Sequence, residues 1–288
     1  MKLTSLFIII SLFIISCNDE GQVLGDNGEK EVTYSYACLD SSLGKPINKH
    51  LEKAGDLFRN AIVSEDEVSD SVQTEYGQVF HDEMVQSGEF KIIKDGQLQV
   101  TLNKALQQLL AARQKPSDIK YQIYALEDTL VNAFTFGGRI YITRGMLNKT
   151  NNNEGLLYAI VGHEIGHSEV GHIRTTIQEL EVSNTIFGED NGVTFFQLKK
   201  LLTASFNQKN ELEADYYGIN LTNKLGYDVC TTVQFWKEMS SQENRYNKVE
   251  DFFRTHPFSN LRAECLTNHI RTNFGKDCGK INTTSAKR

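Results

Sequence analysis

Residues 154–172 read EGLLYAIVGHEIGHSEVGH, and the five residues His163-Glu164-Ile165-Gly166-His167 inside them decide how the rest of the chain is read. Side chains four apart on a helix lie about 40° from eclipsed, so the two imidazoles of an H-E-x-x-H leave one face, one turn apart. That spacing lets two neutral imidazole nitrogens reach a single zinc ion at about 2.0–2.1 Å. Leu156 and Ile160 continue the same stripe toward the N-terminus, so the histidines emerge from a buried face. Glu164 flanks the metal without needing to bind it, as a general base for an attacking water must. The stretch predicts a long helix from Glu154 onward, with Asn151 to Asn153 available as its cap.

A hydrolytic site of this type needs a third protein ligand and an open fourth position. His172 stands nine residues after His163 and five after His167, which in a continuing helix points it about 180° and 140° away from them. It is therefore not expected on the same metal, and it reads as a residue behind the ligands or a structural one. The longer pattern H-E-x-x-H-x-x-G-x-x-H also fails, because Val170 and Ile173 stand where it needs Gly and His. The stretch Asn210-Glu211-Leu212-Glu213-Ala214-Asp215 offers the alternative. Glu211 and Asp215 share a helix face and Glu213 points elsewhere. Alone, such an acidic stretch also describes a solvated helix face. Joined to the upstream motif, it reads as Glu211 on the metal and Asp215 orienting a ligand imidazole.

Outward from the motif, helices dominate and one small sheet sits in the middle. Pro46–Ile62 and Val100–Arg113 carry apolar residues at helical spacing; in the second, Leu102, Ala105, Leu106, Leu109 and Leu110 form one face that stops before Pro116. Val63–Glu89 is acidic and ambiguous, compatible with a further helix. Tyr121–Ala125 alternates like a strand, and Leu130–Phe136 and Arg139–Arg144 read as two β segments around Gly137-Gly138. Thr185–Thr194 reads as a loop and Phe195–Asn223 as helix.

The segments His163–His172 (HEIGHSEVGH), Asn210–Gly218 (NELEADYYG) and Thr255-His256-Pro257…Arg262 resemble the zinc metallopeptidase family M48. Asn132-Ala133-Phe134, Gly137-Gly138 and Gly145-Met146-Leu147 sit where that family places its substrate-binding strand and the approach to the motif helix. The resemblance runs over about residues 100–270. It implies an α+β, mainly helical fold of the gluzincin type, with the H-E-x-x-H helix packed on a small β-sheet. It implies one zinc ion held by His163, His167 and Glu211, Glu164 as general base and then acid, and Asp215 behind the ligands. It further implies His256 and Arg262 beside the cleft, stabilising an oxyanion or gating the metal, with Asn132, Ala133 and Phe134 binding substrate. The expected activity is endoproteolysis of unfolded or misassembled envelope polypeptides, which a main-chain, strand-addition mode of binding suits. The alternative is a self-inhibited chaperone or assembly factor of the same fold. His50, His81 and His269, with no constellation around them, read as surface residues.

The N-terminus carries an address. Met1-Lys2 precedes thirteen mostly apolar residues, Leu3–Ile15, a stretch too short to span a bilayer and typical of a secretory leader. It ends Ile14-Ile15-Ser16-Cys17, similar to a bacterial lipobox, so residues 1–16 are expected to be a signal peptide and Cys17 a lipidated first residue. Residues 17–45 then form a polar tether and 46–288 a single metallopeptidase domain. The protein is expected on the exported side of a bacterial envelope membrane. Cys38, Cys230, Cys265 and Cys278 permit three disulfide pairings in an oxidising compartment, or remain buried thiols; no C-x-x-C spacing supports a cysteine zinc site.

Composition sets the outer limits. The chain has 288 residues, 40% of them hydrophobic, and a net charge of −7. That is enough apolar material for a sizeable core, and the acidic balance gives no electrostatic reason to expect nucleic acid. No run of 18 apolar residues occurs, so no spanning helix is expected.

Overall fold

The structure is a computed structural model that describes residues 32–39, 56–57, 59–150, 153–187, 206–241, 256 and 260–279. The leader, Cys17, His50, most of the expected 46–62 helix and residues 195–205 of the later one lie outside the described residues. Within them a 3-10 turn, Glu65–Glu67, precedes α1 (Asp70–Gln86) and α2 (Gly96–Ala112). Strands β1 (Gln122–Leu126), β2 (Ala133–Phe136) and β3 (Arg139–Thr143) follow. The chain continues through α3 (Arg144–Thr150), α4 (Glu154–Glu169), α5 (His172–Phe187), α6 (Gln208–Lys224), α7 (Cys230–Ser241) and α8 (Asn260–Phe274). The architecture is thus mainly helical with one small sheet.

The sheet has the order β1-β3-β2, with β1 parallel and β2 antiparallel to β3. Side chains of successive strand residues point to opposite faces, and the register therefore sorts the core into two layers. Ile123, Ala125, Ala133, Ile140 and Ile142 face the main core, which they share with Leu102, Leu106 and Leu109 of α2 and Ile160, Val161 and Ile165 of α4. Leu126, Phe136 and Tyr141 face a second cluster with Phe80 and Met84 of α1 and Ile173 and Ile177 of α5. The α2 face named from its periodicity is buried as expected, with Leu110 at its edge.

Helix α4 is central. Every residue from Gly155 to Ser168 is buried, which a helix reaches only when packed on all sides. Asn153 caps its start, its Oδ1 accepting from Leu156 N at 3.0 Å. The predicted long helix is in fact two. Val170 N donates to Gly166 O and Gly171 N to Ser168 O, and Gly171, at φ +91°, turns the chain before α5 starts at His172. A C-terminal glycine in the left-handed region is a common way to end a helix, and here it lets His172 sit against His167. Helix α5 runs to Phe187, into the stretch read as loop.

The N-terminal residues expected to be tether are packed where they are described. Thr33 exchanges two hydrogen bonds with the Asn273 side chain, at 2.8 and 2.9 Å, and Tyr216 Oη donates to Ser35 O at 2.6 Å. Disulfides join Cys38 to Cys265 and Cys230 to Cys278, with Cα–Cα distances of 5.6 and 5.1 Å. One of the three open pairings is thereby selected. Residues 32–39 thus form a strap held across α6 and α8, because their aromatic rings have a surface to cover: Tyr34 and Tyr36 both pack on Tyr216.

Candidate metal centre

Two helices bring the site together. Helix α4 presents His163 and His167, α6 presents Glu211 and Asp215, and the two make the most extensive helix contact in the fold. Their backbones touch at Gly162 and Gly218: a Cβ on Gly218 would stand 2.5 Å from His163 N and 2.8 Å from Gly162 C. Only glycines allow this approach, which places the Glu211 carboxylate within reach of both imidazoles.

The donor atoms lie close together. His163 Nε2 and His167 Nε2 are 3.0 Å apart, and Glu211 offers Oε1 at 3.4 Å from His167 Nε2 and Oε2 at 3.6 Å from His163 Nε2. His256 Nδ1 lies 3.2 Å from His163 Nε2 and 3.2 Å from Glu211 Oε1. One ligand atom from each of His163, His167, Glu211 and His256 fits within a 4.8 Å span, and all four residues are buried. Four ligands at about 2.0–2.2 Å around a tetrahedral ion stand about 3.3–3.6 Å from one another. The observed spacings, 3.0 to 3.6 Å, lie at that figure or just below it.

Charge gives an independent test of fit. Glu164, Glu211 and Asp215 are three buried carboxylates, and the one buried guanidinium among them is Arg262. With the imidazoles neutral and the three carboxylates ionised, the cluster would carry a surplus of two negative charges, which a divalent cation would balance; without one, His256 offsets part of it as a cation. Glu164 Oε2 is buried without a hydrogen-bond partner among the described residues. Such an oxygen beside a set of ligand nitrogens is what a base awaiting a water proton requires.

The site's polar groups are each held. Asp215 Oδ1 is 2.9 Å from His163 Nδ1 and, being an acceptor, keeps the proton on that nitrogen so that Nε2 is free to ligate. Burial raises the Glu164 carboxyl above the usual range, an effect that His256 and His163 only partly offset. Burial acts the same way on Glu211, but His256, Arg262 and His167 outweigh it and hold that carboxyl well below its ordinary value. Burial lowers His167 strongly, which keeps it a neutral ligand. His256 is pushed up to about 9, because Glu211 and Glu164 outweigh its desolvation.

Of the residues named from sequence, His163, Glu164, His167, Glu211, Asp215 and His256 are brought together. Arg262 stands beside the same cluster, paired with its carboxylates. Its Nη1 lies 2.8 Å from Glu211 Oε2, its Nε donates to Asp215 Oδ2 at 2.9 Å, and it is 1% exposed. It braces the two carboxylates. Ala133 and Phe134 lie on β2, the edge strand, and Asn132 N, just before it, donates to Thr143 Oγ1. Ala133 O accepts from His256 Nε2 at 3.0 Å. His269, read as a surface residue, is 4% exposed between Tyr216 and Asn220. His81 is half-buried, stacked on Tyr124.

Sequence reasoning missed Glu213, and it gave His172 a supporting or structural role without naming what it touches. His172 Nδ1 lies 3.0 Å from His167 Nδ1, and His172 Nε2 lies 3.0 Å from Glu213 Oε2. The signal was the Gly171 that breaks the helix, since only a continuing helix turns His172 away.

The comparisons with known proteins agree with this geometry. The sequence model of Peptidase family M48 matches residues 94–270. The chain is 29% identical over 154 residues to the mitochondrial metalloendopeptidase OMA1 of Schizosaccharomyces pombe, covering 51% of this chain and 45% of that protein. It is 28% identical over 171 residues to the metalloprotease LoiP of Escherichia coli strain K12, covering 55% and 64% respectively. It is 23% identical over 175 residues to the beta-barrel assembly-enhancing protease of Yersinia pestis, covering 51% and 34%. The chain therefore spans between 34% and 64% of the length of these curated relatives. Since the matched segment holds more than half of the chain and both halves of the metal centre, the chain belongs to peptidase family M48, a family of zinc metallopeptidases.

Proposed function

We propose that this protein is a zinc-dependent metalloendopeptidase that cleaves unfolded or misassembled polypeptides on the exported side of a bacterial envelope membrane, anchored there through a lipid on Cys17. The observation that carries the reading is the convergence of His163, His167 and Glu211 beside the unpartnered Glu164 Oε2. A zinc ion held by these three residues would polarise the scissile carbonyl and acidify a water molecule. Glu164 Oε2 would take the proton from that water and pass it to the leaving amine; its raised pKa suits both transfers. Asp215 and Arg262 hold the ligands in place throughout. The edge strand β2 runs beside α4, so a peptide added to it by main-chain hydrogen bonds would bring its carbonyls to the site with little regard for sequence. The names of the relatives, metalloendopeptidases and metalloproteases, support cleavage of polypeptides. The two disulfides suit the oxidising compartment that an exported address implies. Casein digestion by wild type and by Glu164→Gln tests the mechanism: the variant should keep its zinc and lose turnover, and equal activity in both would sink it.

A second reading, a self-inhibited form acting as chaperone or assembly factor, is favoured by His256. Its Nδ1 stands among the metal donors while its Nε2 donates to Ala133 O, an acceptor on the strand expected to pair with substrate. In that position it would offer a fourth ligand to the metal and cover Ala133 O on the edge strand. Casein turnover by His256→Ala separates the two roles. A gate predicts faster cleavage than wild type, whereas an oxyanion donor predicts slower cleavage.

A further inference from the structure

The metal centre has a second support that reaches it from the other side. Helix α4 ends at Glu169 and Gly171 turns the chain, so that His172, at the start of α5, folds back against the motif it follows. His172 Nδ1 lies 3.0 Å from His167 Nδ1, and His172 Nε2 lies 3.0 Å from Glu213 Oε2. Glu213 is itself flanked by Lys209, with Nζ at 3.6 Å, and by the Tyr36 phenol of the strap, whose pKa burial and then the Glu213 charge push up. The Phe206 ring stacks on His167 with centroids 4.2 Å apart, closing the remaining side.

The protons in this chain follow from what each atom can do. A carboxylate only accepts, so the hydrogen in the Glu213–His172 contact sits on His172 Nε2. A His167 that ligates through Nε2 carries its hydrogen on Nδ1, and the His172 Nδ1 lone pair is placed to accept it. That leaves the His167 Nε2 lone pair directed at Glu211 and His163. Asp215 does the same for His163 in one step; Glu213 does it for His167 in two.

We infer that His172 and Glu213 are positioning residues for the metal, a relay that fixes the tautomer and ring orientation of the ligand His167. The inference deepens the metallopeptidase reading and rests on it. Partners behind a ligand imidazole typically carry about 10–100-fold in metal affinity.

The experiment is zinc affinity of the full chain, measured by competition with a chromogenic chelator, alongside the melting temperature of each zinc-free protein. His172→Leu and Glu213→Leu remove an acceptor from the relay and should each weaken zinc binding by about 10-fold or more. Glu213→Gln keeps an amide oxygen to accept from His172, and His172→Gln keeps one to accept from His167. Both should recover much of the lost affinity, a pattern that a packing role does not produce. Zinc affinities within about threefold of wild type for both leucine variants would overturn the relay, as would losses that follow melting temperature equally in all four variants. If His172→Leu does not fold, Glu213→Leu carries the same test, since Glu213 is only partly buried. A wild-type protein that binds no zinc would defeat the metallopeptidase reading and the relay together. Zinc bound equally by wild type and leucine variants would defeat the relay alone.

Discussion

Gly218 of α6 lies against the backbone of His163 in α4, so close that a single methyl group there would stand 2.5 Å from the histidine's amide nitrogen. The metal centre depends on this contact, because the helices that carry its two halves are held at backbone-to-backbone distance by the glycines. Gly218→Ala should force them apart and cost about 1–3 kcal/mol of stability by overpacking. Urea unfolding of the zinc-free protein reads that cost, and zinc affinity should fall with it. A fully stable Gly218→Ala protein with unchanged zinc affinity would show that the crossing can relax freely.

Arg262 separates bracing from catalysis. Arg262→Leu strands Glu211 and Asp215 as buried charges without their counter-ion, a change that costs about 3–5 kcal/mol where such pairs are broken. Arg262→Lys keeps the charge but loses the planar fork that reaches both carboxylates, so a smaller loss is expected. Denaturant midpoints of the two variants check this order. Loss of turnover at wild-type stability in Arg262→Leu would instead return the residue to an oxyanion role.

The disulfides tie the two ends of the described chain to the helices behind the site. The Cys38–Cys265 bridge closes a loop with a sequence separation of 227, and it holds the strap that carries Tyr36. A disulfide in a protein of this kind contributes about 2–5 kcal/mol. Paired Cys38→Ser and Cys265→Ser substitution should lower the denaturant midpoint accordingly. A thiol assay of the mature, denatured, unreduced protein should find none of Cys38, Cys230, Cys265 and Cys278 reactive.

Much of this was legible in the residues. The periodicity of Val100–Arg113 and the alternation around Gly137-Gly138 predicted α2, β2 and β3 with shifts of a few residues at their ends, because local apolar spacing is what those elements respond to. Glu211 was found because four-residue spacing with Asp215 is meaningful beside an H-E-x-x-H. The rest lay in long-range contacts that no local pattern carries. The pairing of Cys38 with Cys265, the burial of His269 and the bracing by Arg262 all depend on how helices far apart in sequence meet. His172 was read as a supporting or structural residue, but its contact with His167 was hidden by the assumption of a continuous helix, which reading Val170-Gly171 as a C-terminal stop removes.

His269 makes stability depend on pH in a window that can be assigned in advance. Asn273 Nδ2 lies 3.0 Å from its Nδ1, and its Nε2 is 2.8 Å from Asn220 Oδ1, an arrangement that suits a neutral ring donating through Nε2. Tyr216 stacks on it at 4.3 Å. Burial lowers its pKa to about 4, only weakly opposed by a backbone contact at Thr33. The unfolded imidazole titrates near 6.5, so as pH falls below that value the unfolded chain takes up a proton that the folded one refuses. The stabilisation is therefore complete above about pH 6.5 and is lost as pH drops toward 4, by up to about 3 kcal/mol. The strap should loosen in the same window, since Asn273 also holds Thr33. Urea unfolding of the wild type and of His269→Gln between pH 7.5 and 4.5 checks this: the wild type should lose stability more steeply than the variant, which has no proton to gain at that position. Parallel pH profiles would mean that the charged ring is accommodated and that the acid lability of the fold arises elsewhere.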